Sequence, residues 1–317
     1  MLQQTTVAAV IPYYRRFLAL FPTVQALAAA PEEQVMQAWA GLGYYARARN
    51  LHACARAVAA LGGFPNTIEG LRALPGIGGY TAPAIAAIAF AIPAVPVDGN
   101  VERVTARLFG IATPLPAARR ILAQAAATLG ADEDARGRPS DFAQALFDLG
   151  ATICTPKRPA CTICPWRTPC LGRAAGTAGS LPLKAPRKTR PERHGALFHL
   201  SDADGRVLLQ RRPPEGLLGG MTELPGTPWR DDRWTPQELL VHAPVQADWQ
   251  PAGTVRHVFT HFALTLDVYR ASIAVVPEEA LAGRFLRGAE IMDGEALPSL
   301  MRKALSVAGL RIKPSGE

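Results

Sequence analysis

Lysine is absent from the first 156 residues of this 317-residue chain, and overall five lysines stand against 29 arginines. A lysine nucleophile acting through a Schiff base is therefore excluded from the first half of the sequence. Cysteine is almost as scarce, since only Cys54 lies outside residues 154–170, where it reads as a small core residue. The opening MLQQTTVAAV carries neither a basic n-region nor a cleavage signature, so no secretion signal is read there. The longest uncharged apolar run, Thr81 to Val97, is shorter than the roughly 20 residues of a membrane span, and Pro93 and Pro96 break its second half. It reads as a buried core helix, and no membrane partner is expected. Charged residues are 19% and apolar residues 49%, which excludes a disordered chain.

What is present is unevenly placed. Residues 1–170 carry 15 Lys and Arg against 10 Asp and Glu, residues 171–193 add a net +5, and residues 194–317 come to −2. Basic charge on the first half and on a short connector suits a polyanion such as nucleic acid, or else is a solvated surface. Cys154, Cys161, Cys164 and Cys170 follow the spacing C-x6-C-x2-C-x5-C, with Lys157, Arg158 and Arg167 between them. Without a secretion signal the expected compartment is the reducing cytoplasm, where such a cluster holds metal rather than disulfides. Structural zinc usually shows two short knuckles and this loop has one. A [4Fe–4S] cube takes four thiolates from a compact loop. The spacing favours iron–sulfur and leaves zinc open.

Periodicity divides the chain. Residues 1–172 read as helices with 3.6-residue spacing, punctuated by Gly, Pro, Asn and Asp, and 173–193 as a basic linker rich in Gly and Pro. Residues 194–317 switch to period two: GALFHL and RVLLQR flank the turn SDADG, and TVRHVF precedes HFALTLDVYR. This predicts a helical domain followed by a smaller α+β domain.

Three stretches carry candidate chemistry. LPGIGGYTA (74–82) sets Gly76 and Gly78 before a helix, where glycine permits close approach and helix N–H groups face a phosphate; the plain alternative is a tight turn. VPVDGNVERV (95–104) puts Asp98 and Asn100 at a helix start, either as ordinary cap residues or as a carboxylate able to stabilise a developing cation. GLGYYARARN (41–50) offers aromatics to a displaced base and Arg47 and Arg49 to phosphates; a core tyrosine pair with a solvated basic face is the other reading.

In this order, the LPGIGGYTA hairpin, the VDGN aspartate and the cysteine loop resemble the helix-hairpin-helix DNA glycosylases of the endonuclease III type. MLQQTTVAAVIPYY and WAGLGYYARARNLH look more narrowly like the adenine DNA glycosylases, the MutY family. The resemblance implies a mainly α helix-hairpin-helix glycosylase domain with an iron–sulfur loop, plus a smaller α+β Nudix-like domain. It implies a [4Fe–4S] cluster on the four cysteines and, as partner, double-stranded DNA holding A:8-oxoguanine or A:G mispairs, met by a monomer in the cytoplasm at the nucleoid.

By position, Asp98 then stabilises the oxocarbenium ion with Asn100 beside it, and Tyr80 stands where lyase-competent relatives carry lysine. Gln4, Thr5, Leu42 and Tyr44 match residues that wedge into the duplex. GLLGGMTELPG stands where Nudix folds have a glycine-rich region, but the acidic hydrolase helix is replaced by DDRWTPQELLVHA, so pyrophosphate hydrolysis is not expected. Phe259, Thr260 and His261 match the family's Phe-Ser-His lesion-reading loop, with Thr260 keeping a hydroxyl. The resemblance further implies a helical segment ahead of MLQQT, whose glutamate supplies the proton to adenine. The expectation is thus of an N-terminally shortened chain, impaired in catalysis, with apolar surface exposed near Val7 to Phe17.

Overall fold

The structure, a computed structural model, describes Met1, residues 5–186 and residues 189–310, without the side chains of 293 and 294. The chain forms two compact units: Ala57–Lys188, and a second in which Met1–Arg56 joins Thr189–Glu317. Among the described residues no helix is long and apolar enough to cross a membrane.

The chain begins with helices α1 (Val7–Leu20), α2 (Val24–Ala29), α3 (Glu32–Trp39) and α4 (Ala46–Ala60). Spacing of apolar residues turns Val10 and Phe17 of α1 inward, where Phe17 meets Phe21 and Trp39 edge-on at 4.8 and 6.1 Å. Val35, Met36, Leu42, Tyr45, Met221 and Ala296 complete this core, so residues from both ends of the chain share it. The other face of α1 exposes Val7, Ile11, Tyr14 and Leu18.

The unit Ala57–Lys188 holds α5 (Ile68–Arg72), α6 (Thr81–Phe90), α7 (Gly99–Leu108), α8 (Arg119–Leu129), α9 (Glu133–Gly137) and α10 (Pro139–Asp148). A π-helical turn, Leu149–Ile153, leads into the cysteine loop, and α11 (Leu171–Ala174) leaves it. Helix α6 is buried only on one face, through Ala82, Pro83, Ala86 and Ala87; Ile88 is 43% exposed. The buried core helix read from the sequence is thus buried along one side, and its other side carries the exposed Ile88. The stretch read as a linker is exposed over most of its length but is anchored at Ala178 and Leu181, which are buried. Leu181 is buried with Ala106, Ala118 and Leu122, and Leu115 pairs with 183–185 through Leu115 N–H to Leu183 O (2.8 Å) and Ala185 N–H to Leu115 O (2.9 Å). Its Gly and Pro content excludes regular elements, but single apolar anchors still bury.

Residues 189–310 build a mixed sheet from β1 (Glu192–Ser201), β2 (Val207–Arg211), β3 (Thr222–Glu223), β4 (Gln250–Val258), β5 (Ala263–Ser272) and β6 (Arg284–Arg287). The order is β3-β2-β1-β5-β4, with β6 on β2. The hairpins read from period two are present: β1 with β2, and β4 with β5, are antiparallel. The parallel β1–β5 pairing, Glu192↔Ala263 to Ser201↔Ser272, joins them. One face packs Leu197, Leu264 and Leu266 on Leu300, Met301 and Leu305 of α13 (Ser299–Val307). The other sets Phe198 against Trp249 and, with Ala196, against Leu239 of α12 (Pro236–Leu240).

Candidate functional site

In the unit Ala57–Lys188 the glycine hairpin connects α5 to α6. Gly76 takes φ 72°, and Ile77 N–H closes the turn on Leu74 O at 3.2 Å. Gly78 and Gly79 have nothing within 4 Å of where a Cβ would stand, so their backbone faces open space. Tyr80 caps α6 and meets the Phe147 ring edge-on at 6.2 Å. Burial, and then the Asp98 carboxylate, push the Tyr80 phenol up from its ordinary value.

Asp98 is half-buried at the start of α7, and the cap reading of the sequence is what its geometry shows. One oxygen, Oδ1, accepts both Asn100 N–H and Val101 N–H at 2.8 Å. Oδ2 is left with one long bond, from Asn100 Nδ2 at 3.3 Å. Asn100 Oδ1 in turn accepts from Arg103 Nη2 at 2.9 Å. Arg103 also donates to Gly150 O (2.6 Å) and Cys154 O (2.7 Å), so a single guanidinium ties the aspartate end of α7 to the cysteine loop. Gly150 makes this possible: a Cβ there would lie 2.7 Å from Asn100 Cβ.

One turn on, Arg107 is 1% exposed and donates to the carbonyls of Thr155 (2.7 Å), Pro156 (2.8 Å) and Leu181 (2.9 Å), and to Cys154 Sγ (3.3 Å). Cys154, Cys161, Cys164 and Cys170 line one small pocket with Arg107, and all four thiols are free. Burial, with smaller contributions from the other three thiols, pushes the Cys164 thiol up, although its backbone hydrogen bond to Trp166 acts in the other direction. As the side chains stand, no three His, Cys, Asp or Glu among the described residues are at metal-binding positions. Lys157, Arg158 and Arg167 sit exposed on the loop. Arg103 and Arg107 were not singled out from the sequence. The available signal was two arginines four residues apart on the apolar face of VERVTARLF.

The remaining sequence candidates lie in the other unit. Gln4 falls outside the described residues. Thr5 accepts a hydrogen bond from Arg47 Nη2 at 3.2 Å, and Tyr44 is 48% exposed with a left-handed φ of 50°. Leu42 does not present itself to a duplex: it is 6% exposed, in the core with Trp39 and Tyr45. Nor are Arg47 and Arg49 a solvated phosphate-binding pair. Arg47 donates to Met1 O and lies over the Trp39 and Tyr44 rings, and Arg49 holds the carbonyls of Gly219 (2.5 Å) and Gly216 (3.4 Å). Their planar, many-donor heads are turned to backbone carbonyls of the protein itself. At the free end of the β4–β5 hairpin, Phe259 N–H bonds Phe262 O at 2.9 Å and leaves Thr260 and His261 exposed at the tip.

A separate cavity of about 890 Å³, lined by Leu108, Phe109, Phe142, Trp166 and Leu171 with Asp132 and Asp141, takes in none of these candidates.

Comparison with known proteins finds two families, one in each half of the sequence. The HhH-GPD superfamily base excision DNA repair proteins match residues 1–127, and a NUDIX domain matches residues 196–307. Among similar relatives, the adenine DNA glycosylase of Homo sapiens is 37% identical over 324 residues, 85% of this chain and 59% of that protein. That of Mycolicibacterium smegmatis is 40% identical over 196 residues, covering 61% and 65%. That of Schizosaccharomyces pombe is 30% identical over 329 residues, covering 86% and 70%. The chain spans 59% and 63% of the human and rat relatives it matches. With both domains matched in order and most of the chain aligned, it belongs to the adenine DNA glycosylase family.

Proposed function

We propose that this chain is a base-excision repair glycosylase that hydrolyses the N-glycosidic bond of adenine mispaired with 8-oxoguanine or guanine in double-stranded DNA. Adenine must first leave the stack. Its departure takes the bonding pair to the base, which needs a proton, and leaves a cation on the sugar that water then captures. Asp98 supplies the anion for that cation. Its Oδ1 is fixed by two backbone N–H groups, which leaves Oδ2 as the oxygen to face the sugar. Asn100, held between Asp98 and Arg103, fixes the carboxylate's rotation. Tyr80 has no amine to form an imine, so the strand is not cut by a lyase step. The turn at Gly76 and the open backbone at Gly78 and Gly79 suit a phosphate at the start of α6.

The four thiols fit a [4Fe–4S] cluster: they line one pocket, and the buried Arg107 cation against Cys154 Sγ suits an anionic thiolate set. Such a cluster would order the loop that carries Lys157, Arg158 and Arg167 toward DNA. Phe259, Thr260 and His261 read the base opposite adenine, with the Thr260 hydroxyl and the His261 ring free to hydrogen-bond. The protein acts as a monomer on nucleoid DNA in the cytoplasm.

The observation that carries this reading is the half-buried Asp98 carboxylate, beside Tyr80 and with one oxygen held back from the cap. A single-turnover assay on an A:8-oxoguanine duplex tests it. Adenine release is expected from the chain, and a loss of roughly 10³-fold in Asp98→Asn with duplex binding retained. Binding without release by the unaltered chain would make it a DNA-binding protein and not an enzyme. A borohydride-trapped adduct would make it a lyase.

A further inference from the structure

Behind the turn 259–262 lies an aromatic platform that neither the sequence motifs nor the family match singles out. Trp229 stacks on Phe259 with centroids 5.9 Å apart and planes at 26°, and also meets Phe262 at 6.1 Å. Phe259 and Phe262, the two ends of the turn, pack together at 4.9 Å. The backbone on either side of Trp229 is tied to β1, at the middle of the sheet. Thr227 N–H bonds Ala196 O (3.0 Å), Thr227 Oγ1 accepts Ala196 N–H (2.9 Å), and Arg230 exchanges N–H and C=O with His194 at 2.7 and 3.1 Å. At Gly195 a Cβ would stand 2.9 Å from Trp229 Cδ1, so the indole lies directly on the strand. The Arg212 guanidinium sits over the same indole at 5.1 Å and is itself held by the buried Glu223 and by Leu217 O (3.1 Å). The chain Glu223–Arg212–Trp229–Phe259 therefore runs by pairwise contacts from the buried sheet to the base of the turn.

We infer that Trp229, braced by Arg212, is a positioning residue for lesion recognition: it fixes the pose of the 259–262 turn and so the direction in which Thr260 and His261 reach. Two-residue tips on long hairpins move freely unless something holds their flanks. Here the flanks are two phenylalanines, and a flat ring against them restrains both. The inference rests on the lesion-reading role proposed for this turn, but the pose itself can be measured apart from that role.

The test uses the full chain with Trp229→Ala, Trp229→Leu and Trp229→Phe. Leucine keeps apolar volume without a ring face, which guards against a misfolded alanine variant. Hydrogen exchange over 257–263, where Phe259 N–H is the protected amide, should quicken roughly tenfold in the alanine and leucine variants, as loss of aromatic stacking implies, and return close to the unaltered value with phenylalanine. Binding to an A:8-oxoguanine duplex relative to A:G should lose about the same factor, again restored by phenylalanine. Exchange that stays unchanged in the leucine variant overturns the inference. If the unaltered chain shows no preference for 8-oxoguanine, lesion reading fails, and exchange alone then decides whether Trp229 sets the turn.

Discussion

At the end of β2, Arg211 and the adjoining Arg212 each meet a carboxylate: Arg211 pairs with Glu33 of α3 and lies 3.6 Å from Glu295, and Arg212 pairs with Glu223. Glu295 also takes Arg287 at 2.5 Å and the Thr222 hydroxyl at 3.0 Å. On α7, Arg103 and Arg107 have no ion pair among the described residues, and their donors go to backbone carbonyls, to Asn100 and to one sulfur. Burial, and then Arg107, pull the Arg103 guanidinium down from its ordinary value, as two neighbouring cations should. These arginines meet carboxylates directly, and the Arg211 pair fastens α3 to the strands. Helix α7 leaves positive charge inside the protein, with Asp98 at one end and four thiols at the other as the groups able to balance it. Buried cations that the fold does not neutralise point to where an anion belongs.

The largest expected effect lies on α7. Arg107→Leu strips the donor from the carbonyls of Cys154, Thr155, Pro156 and Leu181 and from the Cys154 thiol at once, and should cost about 3 kcal/mol or more of stability, with loss of the iron proposed for this loop. Guanidinium midpoints and iron per chain measure both, and an unchanged midpoint would dissolve the contrast with β2. Arg103→Gln should come next. Adenine excision is expected to fall roughly 10–100-fold, because Asn100 and Cys154 lose a shared donor, while duplex affinity holds. Single-turnover rates beside binding isotherms separate the two.

Arg49→Ala should cost about 1 kcal/mol, the ordinary worth of its bonds to Gly219 and Gly216, and should leave the salt dependence of DNA binding unaltered. A flattened salt slope would return Arg49 to the phosphate-binding set. The smallest effect concerns Glu238, whose carboxyl is pushed down to about 2, first by the Arg230 side chain and then by Thr235 N–H in the capping box of α12. Because the folded value is depressed, the cap's support is complete above the ordinary carboxylate range and is lost as pH falls toward 2. In Arg230→Gln an NMR titration of Glu238 should find its midpoint moved up toward that ordinary range.

Most helices were legible because each buries one side at 3.6-residue spacing, and the Asp-Gly-Asn start of α7 and the four cysteines were legible as local patterns. What escaped was non-local. Nothing in GALFHL or HFALTLDVYR says that they pair in parallel, since the intervening chain, not the strands, sets that choice. Leu42, Arg47 and Arg49 looked free because GLGYYARARN alone does not reveal Trp39, Gly216 or Gly219 as neighbours. Arg103 and Arg107 were hidden because an arginine on an apolar face looks the same whether its head snorkels out or turns in. The short α2, capped by Thr23, was too brief to show a period.

Gly150 carries no functional group, yet it bears on how this protein tolerates heritable variation. A scale of chemical similarity would rank glycine to alanine there among the mildest changes in the chain. The added methyl would stand 2.7 Å from Asn100 Cβ and 3.2 Å from its backbone oxygen, and a helix backbone cannot retreat by the rotation that frees a flexible side chain. The displacement falls on the residue that orients Asp98. Screens of sequence variants should therefore weigh position 150 with the residues of the site itself, and a silent-looking allele there should slow the proposed adenine excision in a protein that still folds.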